Sequence, residues 1–321
     1  MTQRMRLFQK HKLLGMCLLS LLCLILVSPI STVAQGEYDD LTGVNIAIYN
    51  GNGVMGSSRI ALTRMFEWMN ATVEDITASQ IIDGVLDDYD LLAIPGGSES
   101  TCSSELDSEG REKVISFVAN GGSYFGICGG ATFAVRYIHL FNGFMGPVGE
   151  PGELIHMTTM HVNQSSKGPD LSDFSENFTT MYYGSQHFTP NPYEATSIHT
   201  IATYDSNSEI GMVAFEYEAG TVFLSSPHPE YEEDSNRDDT TFGDDLTDPD
   251  SEWDLLLRVS KWLIDASVIE FSSSTTTTTT TTDISIPSPT SGTLDIPLIA
   301  GVSSVFVLAI AVVVVLYRRA H

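Results

Sequence analysis

Short apolar segments rich in β-branched residues alternate with segments of helical spacing over most of this chain. The strand-like segments are residues 44–49, 91–94, 123–127, 210–217 and 221–224. The helix-like segments are residues 59–70, 107–120, 131–137 and 253–266. Because parallel strands need crossover connections that are usually helical, this alternation predicts an α/β fold with a doubly wound, mostly parallel sheet.

An apolar run at residues 297–317 limits the folded domain from the C-terminal side. Its 21 residues carry no charge, and at ~1.5 Å per residue a helix of this length spans a hydrocarbon core of ~30 Å. Arg318 and Arg319 follow directly, so we expect a single membrane span with residues 318–321 in the cytoplasm and the domain outside the cell. A lipid-anchor signal is the competing interpretation, although such signals normally end in apolar residues.

Residues 1–34 have the pattern of a secretory signal peptide. Basic residues without acidic ones precede an apolar run at residues 13–30, and Thr32 and Ala34 are the small residues of a cleavage site. An uncleaved anchor is the alternative, because the run is almost long enough to span a bilayer. Residues 271–296 are rich in Ser and Thr and are predicted to form a stalk, which leaves residues 40–270 as the folded domain.

The charge of the region between the signal and the span is strongly negative. It holds nine basic residues against all 41 acidic ones, a net charge of −32. Nucleic acids and anionic lipids are therefore unsuitable partners. Glycosylation sequons at Asn70, Asn163 and Asn177 agree with an exported glycoprotein.

The Gly-Ile-Cys-Gly-Gly segment at residues 126–130 joins a predicted strand to a predicted helix. Small neighbours permit a strained elbow that presents Cys128 as a nucleophile, and the helix N-terminus favours its thiolate. The amide of Gly129 then suits an oxyanion. A structural cysteine in a glycine-rich turn is the alternative interpretation.

Two further turns follow predicted strands at the same edge of the sheet. His228 and Glu230 come after the strand at 221–224, where the carboxylate can orient the imidazole as a general base for the thiol. Gly96 and Gly97 come after the strand at 91–94, and their backbone amides are candidates for binding substrate or an oxyanion.

In these three motifs the sequence resembles the class I glutamine amidotransferase-like superfamily, and it is most similar to the biotin-protein ligase N-terminal-like domain. Other similar stretches are residues 49–54, 121–124, 182–184 and 225–230. The resemblance covers about residues 43–266 and implies a flavodoxin-like sheet. It also implies that Cys128 is the nucleophile, that His228 is its base, and that Glu230 orients the base.

Because the domain leads into a stalk and a membrane span, we expect a thiol-dependent hydrolase or amidase acting on an amide or ester, in a small molecule or a peptide. No cofactor and no metal are expected. The alternative is a non-catalytic binding or sensor module on the same fold, in which ligand binding does not need Cys128.

Three features allow other interpretations. The glycines of residues 51–56, followed by Glu74, fit a dinucleotide-binding fingerprint, although they equally fit the first turn of the ligase-like domain. Residues 230–254 contain 12 acidic residues and are either a solvated insertion at the mouth of the site or, less favoured, a Ca²⁺-binding loop. Finally, Cys102 follows the Gly97 turn by five residues, which places it in the neighbourhood of Cys128. A disulfide between the two cysteines is therefore a third alternative.

Overall fold

The computed structural model describes residues 40–149, 152–193, 197–232, 236–248 and 250–267. The predicted signal peptide, stalk, membrane span and cytoplasmic tail lie outside these ranges. Within them, no helix combines the length and the apolar character needed to cross a bilayer.

Five strands form a parallel half of the sheet, in the order β2-β1-β3-β4-β11. Their bounds are β1 Asn45–Tyr49, β2 Thr72–Ile76, β3 Leu91–Ile94, β4 Ser123–Ile127 and β11 Gly220–Ser225. All residues of β3, β4 and β11 are buried. Strands covered on both faces read as continuous apolar runs, which is why the sequence pattern located these three.

The other half of the sheet is antiparallel and contains six strands of the described region. Their bounds are β5 Gly143–Pro147, β6 Ile155–Val162, β7 Asn177–Tyr183, β8 Gln186–Pro190, β9 Ile198–Tyr204 and β10 Ile210–Tyr217. From β11 the order continues β10-β9-β6-β7, while β8 pairs with β10 and with β5. The expectation of a mostly parallel sheet is therefore wrong: the sheet is mixed, with an antiparallel half that the sequence pattern largely failed to show.

Helices cover both faces of the parallel half, as predicted for a doubly wound sheet. Their bounds are α1 Gly56–Trp68, α2 Ala78–Ile82, α3 Glu99–Ala119, α4 Gly129–Arg136 and α5 Trp253–Ala266. One core packs α1 and α5 against one face, and the other packs α2, α3 and α4 against the opposite face. The helix predicted from residue 107 is the second part of α3, which has a backbone break at Asp107 with φ 51°.

The topology brings three loops to one edge of the sheet. Strands β3, β4 and β11 are hydrogen-bonded neighbours that run parallel, so the segments after Ile94, Ile127 and Ser225 start at the same edge. Ligands bind at this carboxyl edge in open α/β sheets. The three sequence motifs are therefore neighbours in space.

Candidate active site

Cys128 lies at a sharp turn between β4 and α4. Its backbone has φ 50° and ψ −106°, a conformation that residues with side chains rarely adopt, so the predicted strained elbow is confirmed. The turn is fixed by the Cys128 amide, which donates to the Ser225 carbonyl oxygen at 2.8 Å. A Cβ at Gly129 would overlap the carbonyl oxygen of Gly97, which explains the small residue after the cysteine.

His228 and Glu230 form a buried pair in the segment that follows β11. His228 Nδ1 and Glu230 Oε1 are 2.9 Å apart, and both side chains are fully buried. The His228 amide donates to the Met181 carbonyl oxygen at 2.9 Å, which ties the segment to β7. With Nδ1 bound to the carboxylate, Nε2 is the nitrogen left to exchange a proton, and it bonds to no oxygen or nitrogen atom of the described residues.

Gly96 lies between the thiol and the imidazole. A Cβ at this position would be 2.7 Å from His228 Cε1 and 3.5 Å from Cys128 Cβ, so both side chains approach the same point. The Gly96 amide, however, donates to Ser58 Oγ at 2.9 Å. The expectation that this amide binds an oxyanion is therefore wrong, and Gly96 contributes instead by leaving room for the imidazole.

The two glycines predicted as oxyanion donors, Gly97 and Gly129, lie on either side of Cys128 in sequence, and the Gly97 amide contacts the Cys128 sulfur. Gly129 is the first residue of α4, and the first amides of a helix have no acceptor within it. The Gly97 amide interacts with the Cys128 thiolate and helps to lower the pKa of the thiol. The Gly97 amide therefore lies beside the sulfur, and Gly129 offers an amide without an acceptor inside its helix.

The charges in the site favour a thiolate and an imidazolium. Burial by itself raises the pKa of the Cys128 thiol, but the His228 charge and the Gly97 amide bring the pKa below its usual value. For His228, burial by itself lowers the pKa, while the Glu230 carboxylate and the Cys128 thiolate raise it well above its usual value. Both shifts favour the thiolate and imidazolium pair over the neutral thiol and imidazole.

Ser58 is a site residue that the sequence analysis missed. It is fully buried on α1, and its Oγ donates to Glu230 Oε1 at 2.6 Å while accepting the Gly96 amide. One hydroxyl thus links the Glu230 carboxylate to the Gly96 turn. The sequence does contain one indication of this role. Ser58 lies four residues before Leu62, on the apolar face of a helix, where a buried serine hydroxyl needs a hydrogen-bond partner.

Two aromatic rings lie beside His228, and a third packs against both of them. Its ring centroid is 5.9 Å from that of Tyr183 and 5.6 Å from that of Tyr231. Phe242 stacks on Tyr183 at 5.9 Å and packs against Tyr231 at 5.2 Å. Because Phe242 belongs to the acidic segment of residues 230–254, this segment packs beside the His228 and Glu230 pair.

The contacts do not support a Cys102–Cys128 disulfide or a dinucleotide site in the glycine loop. Cys102 and Cys128 are both free, so the disulfide is not formed. In the glycine loop the Glu105 carboxylate accepts the Asn52 amide at 2.5 Å and the Tyr49 hydroxyl at 2.7 Å. A carboxylate thus occupies the place where a dinucleotide fingerprint would offer amides to a pyrophosphate.

A doubly wound sheet with a cysteine elbow at its carboxyl edge is the arrangement that the resemblance to class I glutamine amidotransferase-like domains implied. Residues 44–146 match the family described as biotin-protein ligase, N terminal, which confirms the resemblance predicted from the motifs over this part of the chain. Cys128 and Gly97 lie inside the matched range. His228 and Glu230 lie beyond it, and their assignment depends on the geometry above.

Two relatives show the extent of the sequence similarity. A biotin–protein ligase from Schizosaccharomyces pombe is 32% identical over 97 residues, which are 28% of this chain and 15% of the ligase. An uncharacterized protein from Chlamydia muridarum is 25% identical over 159 residues, or 44% of this chain and 60% of that protein. The matches therefore span less than two thirds of either relative.

Similar solved structures include two from Thermotoga maritima. PurLQS has a TM-score of 0.49 and 15% identity, and the match covers 68% of this chain and 99% of that one. A glutamine amidotransferase has a TM-score of 0.45 and 13% identity, with 69% and 96% covered.

Proposed function

We propose that this chain is a thiol-dependent hydrolase or amidase that cleaves an amide or ester through Cys128, His228 and Glu230. The observation that carries the proposal is the lowered pKa of a thiol on a strained elbow, beside a buried histidine and carboxylate pair. A structural cysteine needs none of these features. We further propose that the domain is held at the outer face of a membrane by the apolar run at residues 297–317.

The first half of the reaction forms an acyl-enzyme. The Cys128 thiolate attacks the carbonyl carbon, and the carbonyl oxygen becomes an oxyanion that the Gly97 and Gly129 amides stabilise. The tetrahedral intermediate collapses as His228 transfers its Nε2 proton to the leaving amine or alcohol. Glu230 remains ionised and keeps the imidazole oriented through Nδ1.

The second half releases the acid. His228, now neutral, removes a proton from a water molecule that attacks the thioester carbonyl, and the same two amides stabilise the new oxyanion. Collapse of this intermediate expels the Cys128 thiolate and restores the imidazolium. The acidic segment beside the mouth disfavours anionic substrates, so a neutral or cationic amide or ester suits the site best.

The chain contains a matched control for the reactivity of Cys128. Burial raises the pKa of Cys102 to about 12, so it should not react with iodoacetamide at about pH 6, where a thiolate-forming Cys128 should. Peptide mapping by mass spectrometry after limited alkylation of the full-length protein measures both sites at once. Equal labelling of the two cysteines would contradict the proposal.

Turnover is tested with p-nitrophenyl acetate as a generic acyl donor. We expect Cys128→Ala to abolish hydrolysis, whereas Cys102→Ala retains it. Both substitutions remove one thiol, so a general loss of stability would affect them alike. A Cys128→Ala variant that still hydrolyses the ester would contradict the mechanism. Ligand binding without turnover in the wild-type protein would favour the binding-module alternative.

A further inference from the structure

Three carboxylates converge at the end of the acidic segment, just before α5. One carboxylate oxygen from each of Asp248, Asp250 and Glu252 lies within 4.8 Å of those from the other two. Asp248 and Glu252 are buried, with 3% and 2% of their surfaces exposed, whereas Asp250 reaches solvent. Like charges at this spacing repel one another, and burial of two of them weakens the screening by water.

Asp248 provides a second, independent observation. Its Oδ1 accepts the Asp250 amide at 3.2 Å, while its buried Oδ2 has no hydrogen-bond partner among the described residues. Neither Asp248 nor Asp250 is paired with a basic side chain in that part of the chain. A buried carboxylate oxygen without a partner is strongly unfavourable, so its persistence indicates a ligand that the oxygen is placed to bind.

We propose that Asp248, Asp250 and Glu252 bind a divalent cation, and that this cation is Ca²⁺. Carboxylate oxygens are the hard donors that Ca²⁺ prefers, and its flexible coordination accepts ligands from alternate residues of an irregular segment. The exposed side of Asp250 leaves room for the water molecules that complete the coordination shell. The spacing differs from that of an EF-hand loop, which is why the sequence alone favoured a solvated segment.

The contacts of the acidic segment show what the cation would do. Thr179 Oγ1 on β7 donates to Asp250 Oδ1 at 2.6 Å, which joins the carboxylate cluster to the sheet. At the other end of the segment, the Arg237 guanidinium lies 4.4 Å from the Trp68 ring and 4.2 Å from the Trp253 ring. The part of the segment between these two attachments carries Phe242.

A cation at the cluster therefore fixes the second attachment and holds Phe242 against Tyr183 and Tyr231, the two rings that lie beside His228. Without it, the three carboxylates repel one another and loosen this end of the segment. Ca²⁺ thus acts as a structural switch on the aromatic cover of the site. This consequence is separate from the reaction itself, since the cation does not touch Cys128 or its partners.

The test adds Ca²⁺ to the EDTA-treated full-length protein. Isothermal titration calorimetry measures the binding, and thermal unfolding measures its effect on stability. We expect one saturable site and a higher unfolding temperature in Ca²⁺. Asp248→Asn should weaken binding by at least about tenfold, because a ligand charge is lost. The matched control is Asp245→Asn, which removes an exposed charge from the same segment and should change the affinity by less than about twofold.

The same variants test folding without the cation. In EDTA, Asp248→Asn should be at least as stable as the wild-type protein, because it removes a repelling charge. A less stable variant in EDTA would assign the carboxylate a purely structural role and overturn the proposal. It would also be overturned by absence of saturable Ca²⁺ binding, by tighter binding of Mg²⁺ than of Ca²⁺, or by equal weakening in Asp245→Asn.

Discussion

Replacing Ser58 with alanine removes a buried hydroxyl that makes two hydrogen bonds in the site. Its Oγ donates to Glu230 Oε1 at 2.6 Å and accepts from the Gly96 amide at 2.9 Å. A hydrogen bond to a charged group contributes ~1.5–3 kcal/mol, and a buried amide left without an acceptor costs ~1–3 kcal/mol. Because one hydroxyl makes both bonds, we expect the free energy of unfolding to fall by about 3 kcal/mol.

Urea unfolding followed by circular dichroism measures this change. The control is Ser260→Ala, because Ser260 is also fully buried in a helix, but its Oγ has no hydrogen-bond partner in the described part of the chain. Removing an unsatisfied hydroxyl should change the free energy of unfolding by less than about 1 kcal/mol, or raise it. The two variants thus differ in hydrogen bonding and not in residue type or depth.

Equal losses of stability in Ser58→Ala and Ser260→Ala would refute this reasoning. The two hydrogen bonds of Ser58 would then contribute nothing beyond side-chain volume, and the proposed link between Glu230 and the Gly96 turn would have no energetic effect. If Ser58→Ala is destabilised as expected, the slope of the urea transition should stay unchanged, since the surface exposed on unfolding is the same.

Two further substitutions test the geometry of the site. His228→Asn removes the charge that lowers the pKa of Cys128, so the pH profile of iodoacetamide alkylation should move to higher pH and the rate near pH 6 should fall by about tenfold or more; an unchanged profile would contradict the ion pair. Gly96→Ala places a methyl group against the imidazole and should lower ester hydrolysis by more than about tenfold. The control Gly56→Ala meets no atom within 4 Å and should keep its activity.

The sequence predicted the parallel half of the sheet far better than the antiparallel half. The three buried strands β3, β4 and β11 gave unbroken apolar runs. The strand β6, Ile155–Val162, instead mixes polar and apolar residues, and the adjacent Thr158 and Thr159 break any strict alternation. Its pairing with β7 and β9 satisfies the backbone, and this depends on partners distant in sequence. Local patterns therefore contain little information on this half.

The residues of the candidate site also divide into those that local sequence patterns predicted and those that they did not. Cys128 and His228 could be predicted because each directly follows a buried strand, where the fold itself determines position. Ser58 and Phe242 could not, because one acts through a bond to Glu230 and the other through stacking on Tyr183. Both contacts exist only after distant parts of the chain have packed together.

The two cysteines of the domain have different electrostatic surroundings. Cys102 is buried and Cys128 is partly exposed, and burial by itself raises the pKa of each. Near Cys102 the Glu105 carboxylate adds to this effect, and the pKa reaches about 12. Near Cys128 the His228 charge and the Gly97 amide reverse it. Since burial raises both pKa values, the opposite final shifts come from the sign of the neighbouring charge, and this difference is what the alkylation experiment measures.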